Sequence, residues 1–245
     1  MTKIPRWLNP DDDTTPFPDV EQALLEPNGL LAVGGTLSST RLLDAYRHGI
    51  FPWYNADQPL LWWSPDPRTV LFPASFQMSR SLQKTLRKGT HRVTFDTAFD
   101  AVVAACAAPR RSEAGTWITP AMAGAYRALH DAGYAHSLEV WQGEALIGGL
   151  YGVALGRVFF GESMFSAARD GSKIALAHLA GQLHAWEFAV IDCQLHTAHL
   201  QSLGATEIPR TRFTALLTTN CALPGRPGPW RFESASAWAH TRSPG

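Results

Sequence analysis

Two short stretches of this chain place acids where acids are costly. Residues 159–166 read FFGESMFS. Side chains alternate between faces along a strand, so Glu162, Met164 and Ser166 are expected on one face and Gly161, Ser163 and Phe165 on the other. A carboxylate among aromatic residues is expensive to bury without a partner. It is either a solvent-facing residue of an edge strand or the acidic floor of a pocket that binds an ammonium. Residues 189–194 read AVIDCQ. Asp192 and Gln194 are expected on the same face of a strand end, where an acid and an amide can orient or activate an amine and a carbonyl. The alternative is that Asp192 caps the following helix. Cys193 reads as a buried thiol, since no His is fixed beside it by spacing. His196 and His199 follow on an expected helix, three apart. They have no third ligand signal, so no metal site is expected.

Charge and aromatic residues add two further surfaces. Residues 76–92, FQMSRSLQKTLRKGTHR, hold five Lys/Arg and no acid. Arg80, Lys84, Arg87 and Lys88 fall on one helical face, with Leu82 and Leu86 on another. That face is either simply solvated or a local phosphate-binding patch. Three loops carry Trp: residues 51–55 (FPWYN), 60–68 (LLWWSPDPR) and 115–119 (GTWIT). Loop aromatics on a rigid scaffold are candidate stacking surfaces for a base. Gly171 and Ser172 precede a helix whose free N–H groups can hold an anion or a carbonyl. That stretch is not a GxxxxGKS phosphate loop. The glycines at 148–156 lack the strand–turn–helix setting of a dinucleotide fingerprint.

The elements that must position these residues follow from periodicity and punctuation. Residues 1–66 are crowded with Pro and Gly, which leaves room for two helices, over 18–26 and 39–48. They read as a small N-terminal domain. From Pro67 the texture changes, and 67–245 reads as a second domain. It holds a strand at 68–73, a helix at 79–89, a strand at 91–96 and a helix at 99–108. A helix follows at 119–133, capped by Thr119 with Pro120 in its first turn and stopped by Gly133. Residues 136–166 alternate around two glycine turns as a three-stranded meander. Then come a helix at 172–187 capped by Ser172, a strand at 189–194, a helix near 197–205 and a final strand region. The order gives an α+β fold with a mixed sheet, not a regular βαβ repeat.

Composition excludes several classes. Lys+Arg and Asp+Glu balance at 21 each, which argues against a sequence-blind nucleic-acid binder. With 45% hydrophobic and 17% charged residues the chain folds around a real core. No apolar run approaches the ~20 residues of a membrane span, and no signal-peptide stretch opens the sequence. Three scattered cysteines fit a reducing compartment, so a soluble cytoplasmic protein is expected, with nothing to suggest an obligate dimer. Nine Trp pull the other way, because they offer many flat faces to a nucleobase.

The strings GLLAVGG, GIFPWY, LWWSPDPR, EAGTWITPAM, AYRALHDAGYAHSLEVW, IGGLYGVALG, GESMFS, GSKIAL, IDCQ and HLQSLGA run in order through residues 29–205. Together they resemble the leucyl/phenylalanyl-tRNA–protein transferases of bacteria. The resemblance implies a C-terminal domain similar to the GNAT acyltransferase superfamily behind a small family-specific N-terminal domain. It implies transfer of Leu or Phe, and less well Met, from aminoacyl-tRNA to proteins with N-terminal Arg or Lys, a mark for N-end rule degradation. It implies no metal or coenzyme. Trp53 and Trp117 fall at positions associated with the terminal adenosine. Leu150, Glu162, Met164 and Ile191 fall at positions lining the donor pocket. Leu179 and Ala185 fall at pocket positions that are often Phe and Ser elsewhere. Asp192 and Gln194 fall at the positions of the proposed catalytic pair. The face of Arg80, Lys84, Arg87 and Lys88 would then meet acceptor-stem phosphates. The rival expectation is an acetyl-CoA-dependent GNAT enzyme, against which residues 166–173 offer no pyrophosphate-binding glycine pattern.

Overall fold

A computed structural model describes residues 4–108 and 116–232. The first three residues of EAGTWITPAM, at 113–115, and the last thirteen of the expected second domain lie outside it.

The N-terminal part holds strands β1 (Arg6–Leu8), β2 (Leu30–Gly34), β3 (Phe51–Pro52) and β4 (Leu61–Trp63) and helix α1 (Ser39–Arg47). The strands form a four-stranded sheet in the order β1-β2-β4-β3. None of them was expected, because strands of two to five residues between prolines are too short to show a period. The helix expected over 18–26 is a correction. Only a 3₁₀ turn forms at Val20–Gln22, after which Leu24 exchanges backbone hydrogen bonds with Gly29 and Leu30 in a tight loop. Pro18 and Pro27 bound too few residues for a stable α-helix. Helix α1 forms as expected, with the Ser38 hydroxyl accepting from Arg41 N–H and Gly49 at φ +75° just beyond its end.

The second part holds β5 (Arg68–Leu71), α2 (Arg80–Arg87), β6 (Arg92–Phe95), α3 (Phe99–Ala107), α4 (Pro120–Asp131), β7 (Ala135–Gln142), β8 (Ala145–Leu155), β9 (Val158–Ser166), α5 (Gly171–Ala185), β10 (Val190–Gln194), α6 (Ala198–Gln201), β11 (Thr206–Ile208) and α7 (Arg210–Asn220). Its seven-stranded mixed sheet has the order β11-β5-β10-β9-β8-β7-β6. Thr119 caps α4, as its hydroxyl accepts from Met122 N–H. Helix α5 starts at Gly171 after Asp170 at φ +63°, so Ser172 is not its cap; its N–H goes to the Ser166 hydroxyl instead. The strand region expected after residue 205 is β11, and helix α7 beyond it was not expected. Its Thr-rich sequence has low helix propensity, yet Phe213 and Leu217, four apart, are buried.

Helix α5 packs on one face of this sheet, and α3, α4 and α1 pack on the other. The second core is continuous with the small sheet: Leu8, Leu31 and Trp62 belong to one apolar cluster with Val70, Val102 and Tyr151. Strands β9 and β10 run parallel from Val158↔Val190 to Phe160↔Asp192, and there the pairing stops although both strands continue. Among the described residues, no helix is long and apolar enough to cross a membrane.

Candidate active site

A cavity of about 120 Å³ opens where β9 and β10 part. Leu150, Phe159, Met164, Leu176, Leu179, Ile191 and Leu200 supply its apolar walls, and Glu162, Asp192 and Gln194 its polar rim. Two bulges shape that rim.

On β9, Tyr151 pairs with Ser163 and Gly152 with Gly161, so Glu162 is the extra residue of a bulge. The bulge resets the alternation. Glu162 and Met164 were expected on one face, but Glu162 turns toward α1 and α4, while Met164 packs with the α5-side core. Tyr46 from α1 donates to Glu162 Oε1 at 2.8 Å, and Tyr126 from α4 donates to Oε2 at 2.5 Å. The two phenolic oxygens also lie 2.8 Å apart. These three contacts need three protons, and the two phenols supply two. The third contact is satisfied when Glu162 itself is protonated and donates to one phenol, which then donates to the other. Consistent with that count, burial pushes the Glu162 carboxyl up to about 7 against the pull of the two phenols. Burial and the carboxylate beside them hold both tyrosines well above the usual phenol range.

On β10, the register shifts between Asp192 and Gln194, and Gln194 sits at φ +61°. The expected acid–amide side-chain pair does not form. The Gln194 backbone N–H folds back onto Asp192 Oδ1 (3.0 Å), and its side-chain amide donates to Glu162 Oε1 (3.3 Å). Asp192 is fully buried and does not cap a helix; Thr197 caps α6. Arg68 clamps it with two parallel bonds, Nε to Oδ1 at 2.8 Å and Nη2 to Oδ2 at 2.7 Å. The third arm of the guanidinium donates to the Gly49 carbonyl at 3.0 Å, and the rings of Phe51 and Phe213 lie against it. Arg68, Tyr46 and Tyr126 were missed from sequence. The available signal for Arg68 was a charge opening the apolar strand RTVL, which demands a buried partner.

The remaining candidates are placed as follows. Leu150, Met164, Leu179 and Ile191 line the cavity, and Ala185 is exposed in the last turn of α5, outside it. Trp53 is 42% exposed and meets Trp63 edge-on at 5.8 Å. Trp117 is half-buried against the α4-side core. A Tyr54–Thr119 hydroxyl contact of 3.3 Å joins their two loops. Neither Trp lines the cavity. Arg80, Lys84, Arg87 and Lys88 are all exposed along α2 and its C-terminal cap, while Leu82 is buried beneath them. Burial raises the Cys193 thiol far above its ordinary range, which keeps it protonated and unreactive. His196 precedes α6 rather than lying on it with His199. Among the described residues no group of three or more His, Cys, Asp or Glu could hold a metal ion.

The family model described as leucyl/phenylalanyl-tRNA protein transferase covers residues 70–218, and the model of that family's N-terminal domain covers residues 35–66. A leucyl/phenylalanyl-tRNA–protein transferase of Nitrosomonas europaea is 60% identical over 219 residues, 89% of this chain and 93% of the relative. The protein of that name from Aromatoleum aromaticum is 60% identical over 230 residues, 94% of this chain and 96% of its own length. That from Thiobacillus denitrificans is 58% identical over 218 residues, covering 89% and 96%. By these matches the chain belongs to the leucyl/phenylalanyl-tRNA protein transferase family.

Proposed function

We propose that this chain moves Leu or Phe, and less readily Met, from aminoacyl-tRNA to the N-terminal Arg or Lys of acceptor proteins, marking them for N-end rule degradation. The names of its relatives support the class of reaction. The single observation that carries the residue roles is an apolar cavity of about 120 Å³ ending in a hydrogen-bonded carboxylate. An apolar cavity of about 150 Å³ holds a benzene ring. The present one therefore takes an isobutyl group directly and a benzyl group with a small side-chain shift. A β-branched donor is stiff near its backbone and fits such a slot poorly.

An aminoacyl ester is already activated, so the enzyme has to place an amine beside it and handle protons. The acceptor's α-ammonium ionises at about 7.7–8.0, close to the carboxyl of Glu162 at about 7. Glu162 is matched to take one proton from it. The freed amine attacks the carbonyl carbon, its nitrogen gives up a second proton to solvent as the tetrahedral oxyanion collapses, and the bond to the ribose 3′-oxygen breaks. Glu162 returns its proton to that oxygen, giving a peptide bond and free tRNA. Gln194 orients Glu162 through its amide. Asp192, with both oxygens committed to Arg68 and the Gln194 N–H, fixes the bulge that aims this amide. Trp53 and Trp117, on loops joined at Tyr54 and Thr119, would stack on the terminal adenosine. Arg80, Lys84, Arg87 and Lys88 would meet acceptor-stem phosphates, which give affinity without reading sequence.

The fold is read as GNAT-like, a parallel strand pair parting beside the acyl donor, and the protein as a cytoplasmic monomer without a coenzyme. Against an acetyl-CoA enzyme, the first free N–H groups of α5 are partly spent, because Ser172 N–H is held by Ser166 Oγ at 2.7 Å. The test is transfer of labelled Leu, Phe, Met and Ile from charged tRNA, and of acetyl from acetyl-CoA, to a peptide beginning with Arg. Leu and Phe are expected to lead, Met to follow, and Ile and acetyl to fail. Acetyl transfer at a comparable rate would reverse the assignment.

A further inference from the structure

Beyond α7 the chain crosses the molecule as an extended strap, residues 222–232. Gly228 N–H donates to the Gly133 carbonyl at 3.2 Å. A Cβ on Gly133, which sits at φ +79°, would fall 2.5 Å from the Gly228 nitrogen, so the strap passes where only glycine leaves room. Trp230 N–H then donates to Asp96 Oδ2 at 2.6 Å, and its indole N–H to the Arg226 carbonyl at 2.8 Å. The side chain is only 3% exposed. It stacks on His136 at 3.8 Å and meets Phe95, Trp186 and Phe188 edge-on. Its last neighbour is Phe159, with ring centroids 5.9 Å apart.

Phe159 connects the strap to the cavity. It lines the cavity, and Trp230 does not. Its ring also packs on the bare backbone of Gly152, where a Cβ would come within 2.6 Å of it. We infer that Trp230 is a specificity-positioning residue: from the strap it braces Phe159 as a wall of the cavity, and so sets the size of donor side chain that enters. The inference rests on the cavity being the donor pocket. Cores are close-packed, so a volume change behind a wall moves the wall. In a space of about 120 Å³ that movement separates isobutyl from benzyl. Truncating the indole leaves a void into which Phe159 relaxes, the cavity widens, and Phe gains over Leu.

The test compares kcat/KM for Leu-tRNA and Phe-tRNA in the full chain and in Trp230→Leu, Trp230→Phe and Met164→Ala. The Phe:Leu ratio is expected to rise about five- to tenfold in Trp230→Leu and about two- to threefold in Trp230→Phe, below or near the effect of one methylene inside an apolar pocket. A Trp230 that only stabilises the fold would lower both donors by one factor, and an unchanged ratio overturns the inference. Should Trp230→Leu not fold, the ratio in Trp230→Phe decides by the same criterion. Met164→Ala opens the cavity directly. If it moves the ratio while the Trp230 variants do not, the brace alone is wrong; if none moves it, the donor-pocket reading falls with it.

Discussion

Glu162 and Asp192 border one cavity, yet they are held by different partners. Asp192 faces a bidentate guanidinium and a backbone N–H, so its charge is neutralised in place and both its oxygens are engaged. Glu162 faces two phenols and an amide, and its proton affinity lies near neutrality. Two readouts follow. The folded carboxyl, at about 7, binds its proton more tightly than the unfolded chain's, at 4.5. The native state therefore holds more protons between those values, and stability falls as pH rises through that window before levelling off. Glu162→Gln should flatten this slope in urea titrations run between pH 5 and 8. In transfer assays the same change should lower kcat by about 10²–10⁴, the usual worth of a general base, and leave a profile set by the acceptor amine alone near pH 8. A wild-type rate without an inflection near 7 would remove Glu162 from that role. The three rim residues were legible in the sequence because an acid or amide inside an apolar strand stands out. Their partners were not. Tyr46, Tyr126 and Arg68 lie 116, 36 and 124 positions from the residues they bind, and a phenol in a helix reads as apolar packing. Two single-residue bulges then broke the alternation on which the faces had been assigned.

At the scale of elements, legibility follows length and punctuation. The meander, α3 and α4 announce themselves through period-two alternation, helical periodicity and a Thr-Pro cap. The N-terminal strands and α7 do not, since tertiary packing rather than local preference makes them. Helix α2 shows both sides of this. Its apolar stripe is legible and its Leu82 is buried, but the purpose of its charged face is not written in spacing. If that face meets phosphates, the double variant Lys84→Glu, Arg87→Glu should reduce the slope of log K against log salt for tRNA binding by about 1.4–1.8, at roughly 0.7–0.9 per lost contact. The helix itself should survive, because the buried leucine is untouched. Acids in its last turn cost about 0.3–1 kcal/mol against the helix dipole. An unaltered slope in filter-binding titrations would return α2 to an ordinary solvated face. Zero net charge is compatible with an RNA substrate only if such a local patch exists, so this measurement also decides how a neutral protein holds a polyanion.

On the scale of the whole molecule, Arg68 ties the parts together. It opens the first strand of the large sheet, yet one arm reaches the Gly49 carbonyl beyond α1 and its plane lies between Phe51 of the small sheet and Phe213 of α7. The small sheet shares one apolar cluster with the large one. A two-sheet protein with separate cores would melt in two steps; this one should melt in one. Indole fluorescence, which samples Trp62 and Trp63 in the small sheet and Trp186 and Trp230 in the α5-side core of the large one, should lose signal together with far-UV circular dichroism. Arg68→Leu should keep the two signals coincident while costing about 3–5 kcal/mol, because it leaves Asp192 as an uncompensated buried charge. Adding Asp192→Leu should recover much of that loss, since an apolar pair of similar volume often replaces a buried ion pair at little cost. It should not recover transfer, because the Gln194 N–H then has no carboxylate to fold onto and the amide beside Glu162 loses its aim. If the double variant regains both stability and activity, Asp192 serves only to neutralise Arg68. If it regains stability alone, the ion pair that joins β5 to β10 is also what positions the amide at the cavity rim.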